Sequence, residues 1–316
     1  MDRPCRVLVA FGPMHTLTDT RPRRRLALAA LLLCAWPLRA ADAPLDALGV
    51  RALFPTRAGG RAWACAWSNG HAGSFGYAVD PDDGWFDCAH GDARYRVDGK
   101  GALTASGDMA RMYVRNPARR AEWGENLEIT VYVTRVRETQ PVSYAGLQIF
   151  ARTNHGTLGK EDLTLCDDRG YGGKVTLDGR WEFEKETAHR RPNGNPCAGT
   201  QRPWDELPVG VPVGVKFVLR NQAGGTQVRL ELYRDLTDGA KGGAWEKMAG
   251  MTDTGDNFGV GAAACKPGVK PELPLLRPLV LPDSESGCPM KAVYFRHEYG
   301  TMTYRRASVR EIDPLP

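Results

Sequence analysis

Apolar and polar residues alternate with a period of two along much of the chain. The clearest run is 127–136, Leu-Glu-Ile-Thr-Val-Tyr-Val-Thr-Arg-Val, in which Leu127, Ile129, Val131 and Val133 fall on one face. Successive side chains of a strand point to opposite faces, so this pattern predicts a strand with one buried face. Related patterns predict strands over 144–153, 211–219, 226–234, 292–296 and 303–312, and no amphipathic helix follows residue 42.

A tight hairpin is predicted over 174–187. Two extended runs, 174–177 and 180–187, are joined by Asp178-Gly179. Asp-Gly between such runs favours a type I′ turn, which needs positive φ at both central residues. The second run therefore places its aromatic residues on one face and its acids on the other. The first face carries Trp181, Phe183 and Lys185, and the second carries Arg180, Glu182, Glu184 and Glu186.

The three glutamates of this hairpin have two interpretations. Neighbouring carboxylates raise each other's pKa, as general acid–base catalysis requires, but an ordinary solvated strand face has the same composition. Strand geometry sets the Cα atoms of Glu182 and Glu184 about 6.6 Å apart, which allows the ~5 Å carboxyl separation of a retaining glycosidase. We expect the acidic face to line a groove open to solvent.

Composition supports a β-rich fold. The 316 residues include 36 Gly and 22 Pro, with Val, Thr, Tyr and Trp recurring between predicted turns. About a dozen short strands predict one all-β domain, a two-sheet antiparallel sandwich of jelly-roll type. We place this domain at residues 91–316, after an N-terminal segment at 42–90.

Residues 1–41 are typical of a secretory signal peptide with an upstream extension. A basic cluster at 21–25 precedes an apolar run at 26–36, which is too short to span a bilayer, and cleavage is expected after Ala40 or Ala41. The leader holds seven of the 42 Lys+Arg and two of the 37 Asp+Glu, so 35 of each remain (42 − 7 and 37 − 2). This charge balance argues against a nucleic-acid partner and predicts a secreted or periplasmic protein.

The cysteines that follow the leader predict disulfides. An even number of cysteines in an exported chain favours pairing, and we expect sequential bonds because each would close a loop of modest length. The expected pairs are Cys65–Cys88, Cys166–Cys197 and Cys265–Cys288. Zinc is disfavoured because no Cys-x-x-Cys pair occurs. Asp167-Asp168 could hold a structural calcium, although a plain turn ranks ahead, and no other cofactor is predicted.

Several runs resemble the concanavalin A-like lectin and glucanase superfamily over roughly residues 90–313. They are 214–221, 228–233, 243–247 and 307–312. The strand Trp-Glu-Phe-Glu-Lys-Glu is similar to the Glu-x-Asp-x-Glu strand of laminarinase-type glucanases. That resemblance implies Glu182 as nucleophile and Glu186 as acid/base. The chain departs from the family pattern at two positions, because Glu184 stands in place of the middle Asp and Lys185 is inserted before the last Glu.

A second branch of the superfamily is also similar. Gln148-Ile149-Phe150 and residues 294–299 resemble partial versions of the Gln-Ile-His and Tyr-Phe-Lys-x-Gly-x-Tyr strands of jelly-roll alginate lyases, with Phe150 where the neutralising His would stand. The resemblance implies another base and a cation at the uronate carboxylate. The candidate bases are Tyr299, His189 and His155, and the candidate cations are Arg152 and Lys174.

These features predict a secreted, monomeric, carbohydrate-active protein that binds and depolymerises a polysaccharide, as a polysaccharide lyase or an endo-glycosidase. A non-catalytic carbohydrate-binding or adhesion module is the alternative. Trp204, in a polar loop, is a candidate platform for stacking on a sugar ring. The further candidate substrate contacts are Gln148, His155, Lys174, Arg180 and Lys185.

Overall fold

A computed structural model describes residues 43–75, 78–80, 83–90, 92–115, 123–153, 165–166, 169–190, 192–222, 224–276 and 292–316. Within these ranges the secondary structure is almost wholly β. The strands are β1 (Ala62–Cys65), β2 (Gly73–Phe75), β3 (Ala78–Asp80), β4 (Asp83–His90), β5 (Ala93–Val97), β6 (Leu103–Val114), β7 (Leu127–Glu138), β8 (Gly146–Thr153), β9 (Gly170–Thr176), β10 (Trp181–Glu186), β11 (Cys197–Gln201), β12 (Pro212–Gln222), β13 (Gln227–Asp235), β14 (Glu246–Asp253) and β15 (Ala292–Glu311). A short 3-10 turn spans Ala240–Gly242. The described residues include no helix with the length and apolar character needed to cross a membrane.

The strands pair antiparallel in the order β11-β10-β9-β8-β15-β7-β12-β13-β14. The long strand β15 links two layers. Its first half pairs with β8, its second half pairs with β7 and β1, and β6 follows it along most of its length. We call β6, β8–β11 and the first half of β15 the front sheet, and β1, β7, β12–β14 and the second half of β15 the back sheet.

The two sheets face each other across one apolar core. The rings of Phe183 on β10 and Phe217 on β12 have centroids 6.2 Å apart. Gly173 on β9 packs so closely against β13 that an added Cβ would lie 2.8 Å from Leu232 Cδ2. Burying these apolar faces against each other is what holds two sheets together. The predicted all-β, two-sheet antiparallel sandwich is therefore confirmed.

The predicted hairpin is present as β9 and β10, and its inner face is the predicted one. Trp181 and Phe183 belong to the core and are fully buried. The predicted type I′ turn is wrong, because Gly179 has a φ of 84° and Asp178 has no positive φ. Instead the Gly179 amide donates to Thr176 O, and the Asp178 carboxylate is held by Thr176 and Arg180.

The C-terminal strands differ from the prediction. The sequence predicts two separate strands, 292–296 and 303–312, but one strand, β15, runs from 292 to 311. Tyr299 has a φ of 50°, yet the pairing with β6 continues on either side of it, from Glu298↔Met109 to Gly300↔Gly107. β15 therefore includes a left-handed residue at this position, and a second at Arg306 with a φ of 48°, while it stays within the sheet.

Two of the three expected sequential disulfides are wrong, and the expected Cys65–Cys88 bond stays a prediction. Cys166 is bonded to Cys265, with their Cα atoms 4.7 Å apart, which rules out the expected Cys166–Cys197 and Cys265–Cys288 bonds. Cys197 is disulfide-bonded as well. Loop length alone was a poor guide because the sandwich brings distant loops together at one end. The side chain of Cys88 and all of Cys288 lie outside the described part of the chain.

Candidate functional site

A row of polar side chains crosses the outer side of the front sheet, which we call the front face. In register, Gln148 on β8 lies opposite Lys174 on β9, and Lys174 lies opposite Glu182 on β10. On the other side of β8, Gln148 lies opposite Arg296 of β15, which in turn faces Arg111 of β6. At least one residue directly before or after each of these in sequence belongs to the core. Because side chains of a strand alternate between faces, the side chains of the row point away from the core.

The three glutamates lie on this face, but they are buried. Glu182, Glu184 and Glu186 expose 1%, 6% and 3% of their surface. The expectation of an acidic groove open to solvent is therefore wrong. The physical reason is that neighbouring strands and loops supply a partner to at least one oxygen of each carboxylate.

Each glutamate has its own set of partners. Glu182 Oε2 accepts hydrogen bonds from Arg180 Nη1 and Thr200 Oγ1, both at 3.2 Å. Glu186 Oε1 lies 3.0 Å from Nδ1 of His189. Glu182 and Glu186, the pair that the glucanase resemblance implies, are thus bound to different side chains.

Glu184 is held by Lys174 and Asn195. Its Oε2 atom lies 3.0 Å from Lys174 Nζ, and its Oε1 atom lies 3.1 Å from Asn195 Nδ2. Burial by itself would raise the pKa of Glu184, but the Lys174 charge and these hydrogen bonds bring that pKa below its ordinary value. Burial opposes the charge of Lys174, yet Glu184 and Glu182 raise the Lys174 pKa above normal. Both groups are therefore charged at neutral pH.

Gln148 has an unused donor. Its Nε2 atom is buried, and among the described residues it has no hydrogen-bond partner, although the whole residue is only 4% exposed. Gly172 on β9 makes room for this amide, since a Cβ there would lie 2.7 Å from Gln148 Nε2 and 2.9 Å from the Phe150 ring. A buried amide donor of this kind is costly unless something fills its place.

Arg152 does not reach the row. Its φ is 56°, its side chain is fully buried, and its guanidinium donates to the backbone carbonyls of Glu125, Leu275 and Leu276. Burial lowers the pKa of Arg152 to about 10. The predicted role of Arg152 at a substrate carboxylate is not supported by this placement, because its donors already anchor the chain around 275.

Lys185 also points elsewhere. Its fully buried Nζ lies on the core side of β10, 2.8 Å from Asp253 Oδ2 and 2.9 Å from the carbonyl oxygens of Phe258 and Glu272. Tyr171 donates to the same Asp253 carboxylate. Lys185 therefore joins β10 to the segment 254–276, and the expectation that it contacts substrate is wrong.

The remaining candidates differ in their surroundings. His189 keeps 27% side-chain exposure beside Glu186. Tyr299 lies against Tyr144, with their hydroxyl oxygens 3.5 Å apart and both rings partly exposed. The ring of Trp204 packs edge-on against that of the core residue Trp181, with ring centroids 5.8 Å apart. This contact leaves less of the Trp204 ring surface available to stack on a sugar. His155 and the Asp167-Asp168 pair lie outside the described residues.

Sequence reasoning missed several residues of the site. Arg296 and Glu298 alternate on β15 and form an ion pair at 2.6 Å, so their shared face could have been found from strand periodicity. Asn195 and Thr200 carried no such signal, because they belong to a loop and a short strand that tertiary pairing places beside β10. Among the described residues no cluster of His, Cys, Asp and Glu is arranged to hold a metal ion.

No family model matches the sequence, and no curated protein matches it significantly. Solved structures with similar folds include the VIP36 exoplasmic/lumenal domain in its Ca²⁺/Man3GlcNAc-bound form, with 7% identity, a TM-score of 0.44, and coverage of 75% of this chain and 89% of that one. Winged bean acidic lectin complexed with methyl-α-D-galactose has 10% identity and a TM-score of 0.40, over 76% and 98%. The metal-free Emp46p carbohydrate recognition domain has 7% identity and a TM-score of 0.42, over 77% and 97%.

Proposed function

We propose that the front face binds an acidic polysaccharide and cleaves it by β-elimination. The observation that carries this proposal is the buried, unused amide donor of Gln148, set in register between the cationic side chains of Arg296 and Lys174. A carboxylate can accept a hydrogen bond from this amide, and Arg296 and Lys174 lie on either side of it, each also paired with a glutamate of the row. A uronate carboxylate is therefore the ligand group that best fits this part of the row.

The same environment assists elimination. A hydrogen-bonded and charge-compensated carboxylate makes the proton on the adjacent sugar carbon more acidic, because it stabilises the negative charge that develops when that proton leaves. A base takes the proton, the neighbouring carbon–oxygen bond breaks, and the departing oxygen receives a proton. The product chain end carries a new carbon–carbon double bond conjugated with the carboxylate.

Tyr299 is the base that we assign. It follows Arg296 on β15, it is partly buried against the core, and its hydroxyl lies 3.5 Å from that of Tyr144. Two adjacent hydroxyl groups can pass a proton between them, so one tyrosine can take the sugar proton while the other protonates the leaving oxygen. The left-handed φ of Tyr299 is a strained conformation of the kind that often occurs at functional sites.

Hydrolysis through the glutamates is less favoured. A glycosidase acid must hold its proton at working pH, which needs a raised pKa. The pKa of Glu184 is lowered instead, and Glu186 is tied to His189. The carboxylates thus serve better as fixed negative charges that hold the basic residues of the row.

The test is incubation of the purified protein with a panel of polyuronates and neutral glucans. Elimination gives new chain ends with ultraviolet absorbance, hydrolysis gives reducing ends without it, and retention without cleavage supports a binding module. We expect Gln148→Ala to weaken polyuronate binding and Tyr299→Phe to abolish cleavage while binding persists. The matched control is Lys270→Ala, at an exposed position outside the strands of the row. Full elimination activity in Tyr299→Phe would place the base elsewhere, and failure to bind any polyuronate would overturn the proposal.

We also propose that the protein works outside the cytoplasm. The Cys166–Cys265 disulfide supports this, since such bonds persist in oxidising compartments, and the sequence of 1–41 supports it independently. Amino-terminal sequencing of the exported protein tests it, with a start after Ala40 or Ala41 as the expected result.

A further inference from the structure

Lys185 and Asp253 form an ion pair that lies wholly inside the sandwich. Lys185 Nζ is 2.8 Å from Asp253 Oδ2, and neither side chain is exposed to solvent. Lys185 belongs to β10 of the front sheet and Asp253 to β14 of the back sheet, so the pair joins one sheet to the other. An ammonium and a carboxylate both lose their hydration at such a position, which weakens the preference of each group for its charged form.

Two backbone carbonyls fix the orientation of Lys185 Nζ. The carbonyl oxygens of Phe258 and Glu272 each accept a hydrogen bond from it at 2.9 Å. When the ammonium gives its third proton to Asp253 Oδ2, the other two protons stay on these carbonyls, so the lone pair that is freed lies on the side of the Asp253 carboxyl group. Burial lowers the pKa of Lys185, although Asp253 acts in the opposite direction, and a lower pKa makes this proton transfer easier.

The two oxygens of the Asp253 carboxyl group have different donors. Tyr171 donates its hydroxyl to Oδ2 at 2.5 Å, the same oxygen that Lys185 contacts. The amide of Gly255 donates to Oδ1 at 3.1 Å. Donors of this kind stabilise the negative charge that develops on a carboxyl oxygen when a nucleophile adds to its carbon. Oδ2 is thus placed to be protonated and to leave, whereas Oδ1 is placed to become an amide carbonyl.

We propose that Lys185 and Asp253 condense into an amide bond that joins the two sheets covalently. The ammonium gives a proton to Oδ2, and the neutral amine then adds to Cγ of the Asp253 carboxyl group. Oδ2 takes a second proton from the nitrogen, with the Tyr171 hydroxyl as the relay, and the Cγ–Oδ2 bond breaks to release one water molecule. The nitrogen keeps one hydrogen, and no oxidant, reductant or activated donor is consumed. The ion pair is the state that precedes this step.

The fold supplies what such a condensation needs. Holding the amine and the carboxyl group in contact replaces a reaction between two molecules by one within a single molecule. The dry surroundings favour the neutral amide over two buried charges, and the water that is released leaves a site with no exposure to solvent. This proposal concerns the stability of the sandwich and does not depend on any carbohydrate ligand.

Two further buried lysines are less suited to the same step. Glu128 contacts Arg310 as well as Lys216, at 2.6 and 2.8 Å, so its conversion to an amide would leave a buried guanidinium without its partner. Lys174 lies near two carboxylates of the front face, and its conversion would leave one of them without its cation. Because an unpaired buried charge is costly, we expect condensation at Lys185 and not at these two lysines.

Mass spectrometry of the purified full chain, denatured and with its disulfides reduced, tests the proposal without any variant. We expect an intact mass that is one water lower than the mass calculated from the sequence and the measured amino terminus. Trypsin cleaves after a lysine only when its side chain is free, so the bond after Lys185 should resist digestion. The digest should contain a branched peptide in which Lys185 is joined to Asp253.

Lys185→Arg identifies the source of the lost water. Arginine keeps a positive charge beside Asp253, and because it stays protonated it forms no amide. This variant should have its full calculated mass and yield no branched peptide. Lys270→Arg, at an exposed position in the neighbouring segment, should keep both the lower mass and the branched peptide. A wild-type protein of full calculated mass, with a linear tryptic peptide that ends at Lys185, would overturn the proposal. A loss of water that persists in Lys185→Arg would overturn it as well.

Discussion

Lys174 Nζ lies 3.0 Å from Glu184 Oε2, and each side chain exposes less than a tenth of its surface. The front face is therefore organised by a buried ion pair. Removing one member of such a pair leaves the other charged and buried, which is much more costly than losing an exposed salt bridge. We expect Lys174→Met to lower the free energy of unfolding by about 3–5 kcal/mol, measured by urea denaturation.

The double variant Lys174→Met/Glu184→Leu separates the cost of an unpaired charge from the cost of lost packing. It should recover much of the lost stability, because no buried charge then remains without a partner. If the double variant is as unstable as the sum of the two single variants, the pair is not coupled in the way that the 3.0 Å contact indicates.

A second prediction concerns Lys185 in the core. Its ammonium satisfies Asp253 and the carbonyls of Phe258 and Glu272, so it fixes the segment 254–276 to β10. We expect Lys185→Met to cost about 3–5 kcal/mol and to open that segment first, as amide hydrogen exchange would detect. Lys270→Met, at an exposed position within the same segment, should change neither property.

A third prediction concerns the Cys166–Cys265 disulfide. Its cysteines are 99 residues apart in sequence, and closing a loop of that size should stabilise the fold by about 4–5 kcal/mol on the chain-entropy model. Replacing both cysteines by serine should lower the unfolding free energy by about that amount. Peptide mapping without reduction should yield the 166–265 pair, and recovery of a Cys166–Cys197 peptide would contradict the structure.

Local periodicity predicted the strands well, because an alternating pattern depends only on neighbours in sequence. It assigned Trp181 and Phe183 to the core face of β10 correctly. It could not tell that Glu184 is buried, because the compensating charge belongs to Lys174 on the adjacent strand and a further hydrogen bond comes from Asn195 in a later loop. An acidic strand face has the same sequence whether water or a basic side chain covers it.

The remaining differences between the predictions and the structure come from contacts between residues that are far apart in sequence. Alternation correctly placed Lys185 on the apolar face of β10. The reason that a lysine is stable there is its ion pair with Asp253 on β14, which the local sequence does not reveal. Cysteine spacing suggested short loops, whereas Cys166 reaches Cys265 across the end of the sandwich. In each case the partner is remote in sequence, so the pattern around one residue could not identify it.

The last prediction concerns pH. His297 is fully buried on the core side of β15, with Nδ1 2.6 Å from the Tyr304 hydroxyl. Burial lowers the pKa of His297 from 6.5 to about 4, against the opposing effect of a hydrogen bond to Gly300 O. Between these two pKa values the unfolded chain binds a proton that the folded protein excludes. The contribution of His297 to the free energy of unfolding is therefore fully present above pH 6.5. It is lost as the pH decreases towards about 4, by about 3 kcal/mol in total.

Urea denaturation across this pH range checks the prediction, with His297→Gln as the informative variant. Glutamine does not titrate, so the stability difference between wild type and His297→Gln should shrink as the pH falls through the window. Buried acids with lowered pKa, such as Glu128 and Glu184, contribute equally to both proteins and cancel in that difference. His71→Gln, at an exposed position, should leave the wild-type pH dependence unchanged. A difference that stays constant with pH would mean that His297 is not the group that makes the fold sensitive to acid.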